Sequence, residues 1–369
     1  MKKVLFTATV DSHIKCFHIP FLKWFHENGY EVHVATNGDE EIPYCDKKIR
    51  ISFARNPFKL ANLKAIKDLK KVIMEEKYDI IHTHTPMGAV VTRLAAKKAR
   101  KKIGTRVIYT AHGFHFFKGA SKLSWLMFYP VEKYLSKFTD TLITINQEDY
   151  NLAKSKFKKC KNVEYVPGVG IDALKFNLSL SESDKLNFRA KLGIKESDFV
   201  LIYVARMDKN KNQGFLIECM KDLSSRHNNI HLLLVGPDEN NGIYQEQAKD
   251  VLNVHFLGFR RDIPELMSIS DIAVSSSLRE GLPVNIMEAM ISSLPVVATD
   301  TRGVRDLVSN GKNGFVVEKN NVDQFVESVL KLYNDKDLRE SFRRVSKEIS
   351  KDYELSKILE MYIKIYLNK

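Results

Sequence analysis

No apolar run in this 369-residue chain approaches the roughly 18 residues that a bilayer-spanning helix needs. The stretch behind the two N-terminal lysines, Val4 to Val10, is stopped by Asp11 and reads as a first β-strand, not a signal peptide. Cysteine is scarce. Cys16, Cys45, Cys160 and Cys219 lie far apart and match neither a disulfide framework nor metal-ligand spacing, which fits a reduced, cytoplasmic protein. The glycine-rich G-x-G-x-x-G turn is missing after the first strand, where the chain reads Thr9-Val10-Asp11-Ser12-His13. An NAD or FAD enzyme is disfavoured on that ground. The loops around His82, His84, His112 and His115 contain no H-x-x-x-H helix and no carboxylate partner, so no metal site is expected. No D-x-D sits in a strand-end loop, and no nucleic-acid fold or stacking motif is present.

What the chain does have is charge of one sign in one half. The formal net charge is +13. Residues 1–170 hold 30 Lys+Arg against 16 Asp+Glu, while the remainder hold 28 against 29, so the two halves have different partners. For the basic half the candidates are nucleic acid, an anionic membrane surface or a polyanionic acceptor. Its densest basic cluster is Arg93 to Arg106, RLAAKKARKKIGTR. The segment Ser121 to Phe138 sets Trp125, Leu126, Met127, Phe128 and Tyr129 among Lys118, Lys122, Lys133 and Lys137. Rings beside ammonium groups suit a membrane interface; a helix packing its rings on its own sheet is the other reading.

A hydrophobic content of 44% is globular, and the length suffices for two domains with cores of their own. Strand-like runs at Val4–Val10, Glu31–Thr36, Ile80–Thr83, Val107–Thr110 and Thr141–Ile145 alternate with helical patterns. The second half repeats the alternation at Phe199–Ala205, His231–Val235, Val254–Leu257, Ile272–Val274 and Val296–Thr299. Both halves therefore read as α/β, doubly wound parallel sheets, with ligand-binding loops at the strand carboxyl ends. Pro167, Gly168 and Gly170 suit a hinge. The expected domains are residues 1–170 and 171–352, and residues after Asn310 are expected to form turns and then helices.

Two features carry chemistry. Arg206 and Lys211 follow the first strand of the second half, placed to hold a pyrophosphate through charge-assisted hydrogen bonds worth ~1.5–3 kcal/mol each. Further on, Ser275 to Asp300 reads SSSLREGLPVNIMEAMISSLPVVATD. Gly281 and Pro283 break the chain before a helix, Glu280 precedes it, and Glu288 lies inside it, about two turns away from Glu280. A helix start behind a glycine offers free N–H groups and a positive dipole end for phosphate. The phrase E-G-L-P-V-x-x-x-E-A, with the R-x-x-x-x-K pair and Ala111-His112-Gly113, resembles the donor-sugar motifs of the family-four retaining glycosyltransferases, and V-D-S-H-I, A-H-G-F-H-F-F-K-G-A and E-G-L-P-V-N resemble phrases of their bacterial capsule and exopolysaccharide branch.

That resemblance implies a GT-B fold of two Rossmann-like domains facing a cleft, with the helix of residues 353–369 rejoining the first. It implies a UDP-sugar donor, a lipid-diphosphate-linked saccharide acceptor, no metal or other cofactor, no nucleic acid, and a peripheral place on the inner face of the plasma membrane. Among the implied catalytic residues, Arg206 and Lys211 neutralise the leaving diphosphate, while His112 and Glu280 meet the donor sugar. Gly236, Phe259, Arg260, Gly281, Leu282, Pro283, Val284, Asn285 and Glu288 would complete the donor site, with Glu288 on the ribose hydroxyls. Asp11, Ser12, His13, His115 and Lys118 are the acceptor-side candidates. A UDP-sugar 2-epimerase of the same fold is the alternative; it would need acid and base carboxylates around C2 and no acceptor site.

Overall fold

Residues 1–178 and 180–368 are described in the computed structural model, and they separate into two compact units. One comprises Met1–Val169 with Ile358–Lys369, the other Gly170–Lys357.

The first unit is built on a seven-stranded parallel sheet. In chain order its strands are β1 (Lys2–Thr7), β2 (Tyr30–Thr36), β3 (Lys47–Arg50), β4 (Ile80–Thr83), β5 (Arg106–Ala111), β6 (Thr141–Thr144) and β7 (Asn162–Tyr165). They lie side by side as β3-β2-β1-β4-β5-β6-β7. The central strands carry apolar side chains on both faces, as a sheet covered by helices on two sides requires: all four residues of β4 are buried. Val4 and Phe6 pack with Phe21 and Phe25 on one face, and Leu5 packs with Leu69, Ile73 and Tyr78 on the other. The last helix, Leu355–Leu367, sends Ile358, Tyr362 and Tyr366 into the first of these cores. Tyr366 Oη meets His82 Nδ1 at 2.8 Å, and the Arg106 guanidinium donates to the carbonyls of Ile365 and Tyr366.

The second unit has six parallel strands, β8 (Phe199–Val204), β9 (Ile230–Val235), β10 (Val254–Gly258), β11 (Ile272–Ser275), β12 (Val296–Thr299) and β13 (Gly314–Val317). Their order is β10-β9-β8-β11-β12-β13. The loop between β11 and β12 contains the helix Val284–Ile291, whose Ile286, Met287, Ala289, Met290 and Ile291 are buried.

Three expectations need correction. The first strand ends at Thr7, and Asp11 opens a short helix, Asp11–Phe17, so the Thr9–His13 turn is shorter than expected. Strand β3 goes unread in the sequence because KKIR is a basic, half-exposed edge with no alternation to betray it. The Asn310–Gly314 turn leads into β13 rather than directly into helices; its strand, GFVV, is four residues long and pairs with β12 alone.

Candidate functional site

Strand order reverses at the β1/β4 neighbours in the first sheet and at β8/β11 in the second. Loops leaving the carboxyl ends of such a pair run to opposite faces and open a crevice, where ligands of open α/β sheets bind.

At the second switch point the loops after β8 and β11 are tied together. Leu278 N–H donates to Asn210 O, and Asn210 Nδ2 donates to Arg279 O. The carbonyl of Lys211 accepts from Tyr203 Oη at 3.2 Å and Ser276 Oγ at 2.7 Å, while its N–H donates to Asp208 Oδ1. With its backbone anchored at both ends, the Lys211 side chain is aimed at Glu280: Nζ lies 2.5 Å from Oε1 in a mostly buried pair. Arg206 pairs with Asp208 at 2.8 Å and Glu239 at 3.6 Å, its side chain 56% exposed. The structure thus brings Lys211 and Glu280 into contact and leaves Arg206 at the rim.

Two glycines set how closely these loops approach. Gly236 has φ +148°, and a Cβ there would lie 2.1 Å from Ala205 O; at Gly303 it would lie 2.4 Å from Gly281 O. No side chain fits at either place. Gly281, Leu282 and Pro283 lead into the Val284–Ile291 helix, whose N-cap, Pro283, offers no side-chain cap. Its first N–H groups, at Val284 and Asn285, are therefore left for another acceptor. Glu288 is half-buried on the same helix. Burial pushes its carboxyl up to about 7, with the Lys175 charge opposing. Phe259 is 70% exposed, and Arg260 forks onto Asp262. Tyr203, Ser276 and Gln213, whose Nε2 donates to Arg206 O, position these loops. Sequence reasoning missed them because Tyr203 and Ser276 read as strand and strand-end residues and Gln213 as an ordinary helix start.

At the first switch point the side chains are imidazoles. His13 lies in the helix Asp11–Phe17, His18 directly after it, His84 directly after β4, and His112 directly after β5. One nitrogen of each lies within 4.8 Å of the others. Asp11, by contrast, is consumed by the scaffold: Lys48 Nζ lies 2.7 Å away, and Thr36 Oγ1 and Glu40 N–H donate to it. Burial would raise its carboxyl, but these bonds hold it below the usual range. Ser12 and Lys118 are exposed, and His115 lies against Phe128 with ring centroids 4.7 Å apart.

The basic segments divide. Arg93 is 1% exposed, bidentate to Glu132 and over the Tyr109 ring; Arg100 pairs with Asp140. The arginines are thus structural, while Lys97, Lys98, Lys101 and Lys102 face solvent. The helix Lys122–Leu135 turns Trp125, Phe128 and Tyr129 inward onto Phe116 and its neighbours, so the rings are core-facing. Its outward residues are Leu123, Leu126, Met127, Val131 and Tyr134, with Leu126 74% exposed. That 3–4 spacing is an apolar stripe on the face away from the core. Among the described residues no helix is long and apolar enough to cross a membrane.

Comparison with known proteins gives consistent matches. The family described as "Glycosyl transferases group 1" matches residues 184–349, and "Glycosyl transferase 4-like" matches residues 3–146. The chain is 41% identical over 368 residues to EpsD of Bacillus subtilis (strain 168), whose name assigns it to the glycosyltransferases, with 99% of this chain and 96% of that one covered. It is 29% identical over 344 residues to the Escherichia coli UDP-Gal:alpha-D-GlcNAc-diphosphoundecaprenol alpha-1,3-galactosyltransferase, covering 88% of this chain and 87% of that one. Among solved structures, Anabaena HepE in complex with UDP-glucose superposes with a TM-score of 0.80 at 21% identity, with both chains covered in full.

Proposed function

Because the chain belongs to the group 1 glycosyltransferases and has the GT-B fold, we propose that it is a retaining enzyme moving a sugar from a UDP-sugar to a lipid-diphosphate-linked saccharide during capsule or exopolysaccharide assembly. The observation that carries this reading is the Lys211–Glu280 pair at the β8/β11 switch point. A cation poised there, beside an uncapped helix start, suits a leaving diphosphate. The E. coli relative's name supports the donor and acceptor classes, and the UDP-glucose complex of HepE supports the nucleotide.

In this mechanism the donor diphosphate takes over Lys211 from Glu280, and Arg206 closes on it from the rim. Glu280, released, and the backbone of Gly281 to Asn285 hold the sugar hydroxyls and phosphate. Glu288 accepts from the ribose hydroxyls. The acceptor hydroxyl attacks C1 on the face the diphosphate leaves, the C1–O bond to phosphate breaks, and a phosphate oxygen takes the hydroxyl proton. The test is a donor panel with a lipid-diphosphate saccharide acceptor, reading nucleotide release and the anomeric configuration of the product. An inverted product removes the retaining assignment; free epimerised sugar nucleotide without acceptor would revive an isomerase.

Side-chain cations take the place of a bridging metal in this scheme. UDP affinity measured by calorimetry should therefore be the same in metal-depleted buffer and with excess Mg²⁺. A gain of about tenfold with Mg²⁺, equivalent to ~1.4 kcal/mol, would mean the diphosphate is held differently.

The +14 charge of residues 1–170 and the lipid of the proposed acceptor support a contact between the first unit and an anionic bilayer, through Lys97, Lys98, Lys101, Lys102 and the Leu123–Tyr134 stripe. Each surface-proximal cation gains about 1 kcal/mol from such a membrane. Binding should be reversible and salt-sensitive, since exposed charges are screened beyond ~8 Å. Co-sedimentation with phosphatidylserine-containing vesicles should fall when the four lysines become glutamine, or when Leu123 and Leu126 become serine. Equal partitioning to neutral vesicles, or none to either, would leave the lysines a solvated face.

A further inference from the structure

We propose that His13, His18, His84 and His112 form a tetrahedral binding site for a zinc-class divalent cation, pinning together the segments that follow β1, β4 and β5. The four residues come from three separate stretches of chain, yet one nitrogen of each lies within 4.8 Å of all the others. The close pairs are His18 Nε2 to His13 Nε2 at 3.3 Å and His112 Nε2 to His84 Nδ1 at 3.4 Å. Zn–N bonds of about 2.0–2.1 Å in a tetrahedron give an edge of roughly 3.3–3.4 Å between ligand nitrogens. These spacings are also longer than a good N–H···N hydrogen bond.

The second observation is the absence of competing partners at the nitrogens that face into the group. His18 and His84 are buried, and among the described residues His18 Nδ1 and His84 Nε2 have no hydrogen-bond partner. In both rings the only bonded nitrogen faces another histidine of the group. The nitrogens that face into the group, His18 Nε2 and His84 Nδ1, are thus engaged only by the neighbouring imidazoles, and among the described residues no hydroxyl, carboxylate or carbonyl competes with an ion for them. His82, two residues before His84, shows what a structural histidine does here: its Nδ1 meets Tyr366 Oη and its Nε2 meets Thr110 Oγ1, both at 2.8 Å. It needs no ion and is left out of the site.

Chemistry points the same way. Imidazole donors without thiolate or carboxylate suit zinc and its neighbours and not magnesium or calcium. His13 and His112 are half-exposed, which gives a cation a way in. The other cluster of metal-ligating type among the described residues, Glu31, His33 and Glu76, carries nothing comparable, because Lys3 Nζ already bridges its two carboxylates.

The full chain, prepared without an affinity tag and stripped with chelator, should take up one equivalent of Zn²⁺ in equilibrium dialysis read by elemental analysis. Co²⁺ as probe should give the intense visible absorption of a tetrahedral site. His18→Ala and His84→Ala should abolish both signals, and His13→Ala, at a half-exposed position that spares the core, should weaken them. His26→Gln, a change at a surface histidine outside the group, should alter neither. Circular dichroism checks that each variant is folded. One equivalent retained in a folded His18→Ala/His84→Ala variant, or no uptake by the parent chain, overturns the site. Because the readout is metal content and not transfer, it is separate from the Mg²⁺ test of diphosphate binding.

Discussion

Replacing Lys211 with alanine should lower kcat/KM for the sugar nucleotide by about 10²-fold or more, with the fold intact. Removing one preorganised donor at a developing negative charge costs about 10²–10³-fold in comparable sites. Here the loss has a second part. Lys211 Nζ is 2.5 Å from Glu280 Oε1, so its removal leaves an uncompensated carboxylate where the proposed diphosphate would bind. Adding Glu280→Gln to Lys211→Ala should therefore recover part of the donor's KM while kcat stays low, a non-additivity expected of residues in contact. Arg206→Ala should cost about 10²-fold, and no more than Lys211→Ala, because the Arg206 guanidinium is more than half exposed and shared with Asp208 and Glu239. Steady-state nucleotide release with circular dichroism as the folding control measures all three. Near-normal turnover in a folded Lys211→Ala enzyme would remove the diphosphate role.

The second unit's candidate site was legible in the sequence because the residues proposed for it are local to two loops. Arg206 and Lys211 leave one strand end, and Glu280 to Glu288 leave another. The buried strands β8, β9, β11 and β12 announce themselves as short apolar runs, so motif and element coincide. What the sequence did not disclose is that Lys211 and Glu280 touch. They are 69 residues apart, and their meeting depends on β8 and β11 being neighbours. The histidine group was illegible for the same reason on a larger scale. His13, His84 and His112 converge only because β1, β4 and β5 are consecutive in the sheet, and no spacing in the chain foretells it. In the Ser121–Phe138 segment composition alone could not say which apolar groups face out. Helical phase decides that Trp125, Phe128 and Tyr129 enter the core while Leu123, Leu126 and Val131 do not.

Glu288→Gln should make the protein more stable and the enzyme worse. Burial lifts the Glu288 carboxyl from its usual 4.5 to about 7, against the opposing Lys175 charge. Between those two pH values the native state therefore binds more proton than the unfolded chain. Stability must then fall as pH rises from 4.5 and level off above 7. The gap corresponds to about 3 kcal/mol, lost on ionising a carboxylate in a half-buried place. Glutamine has no charge to bury, so the variant should gain up to about 3 kcal/mol over the parent above pH 7 and nothing near pH 4, as read by urea unfolding at each pH. The catalytic effect should run the other way. An ionised carboxylate can accept from two ribose hydroxyls, whereas the amide has one oxygen and an NH₂ that cannot accept, so kcat/KM should fall by about tenfold or more. In the parent, UDP affinity should decline as pH drops through 7, approaching tenfold per pH unit for a single proton, and in the variant it should be flat. A parent and variant with parallel stability curves would mean Glu288 is not held protonated by burial. Matching UDP affinity at pH 8 would release it from the ribose. Both results as expected would identify a carboxylate kept in the helix at a cost to stability because the nucleotide requires it.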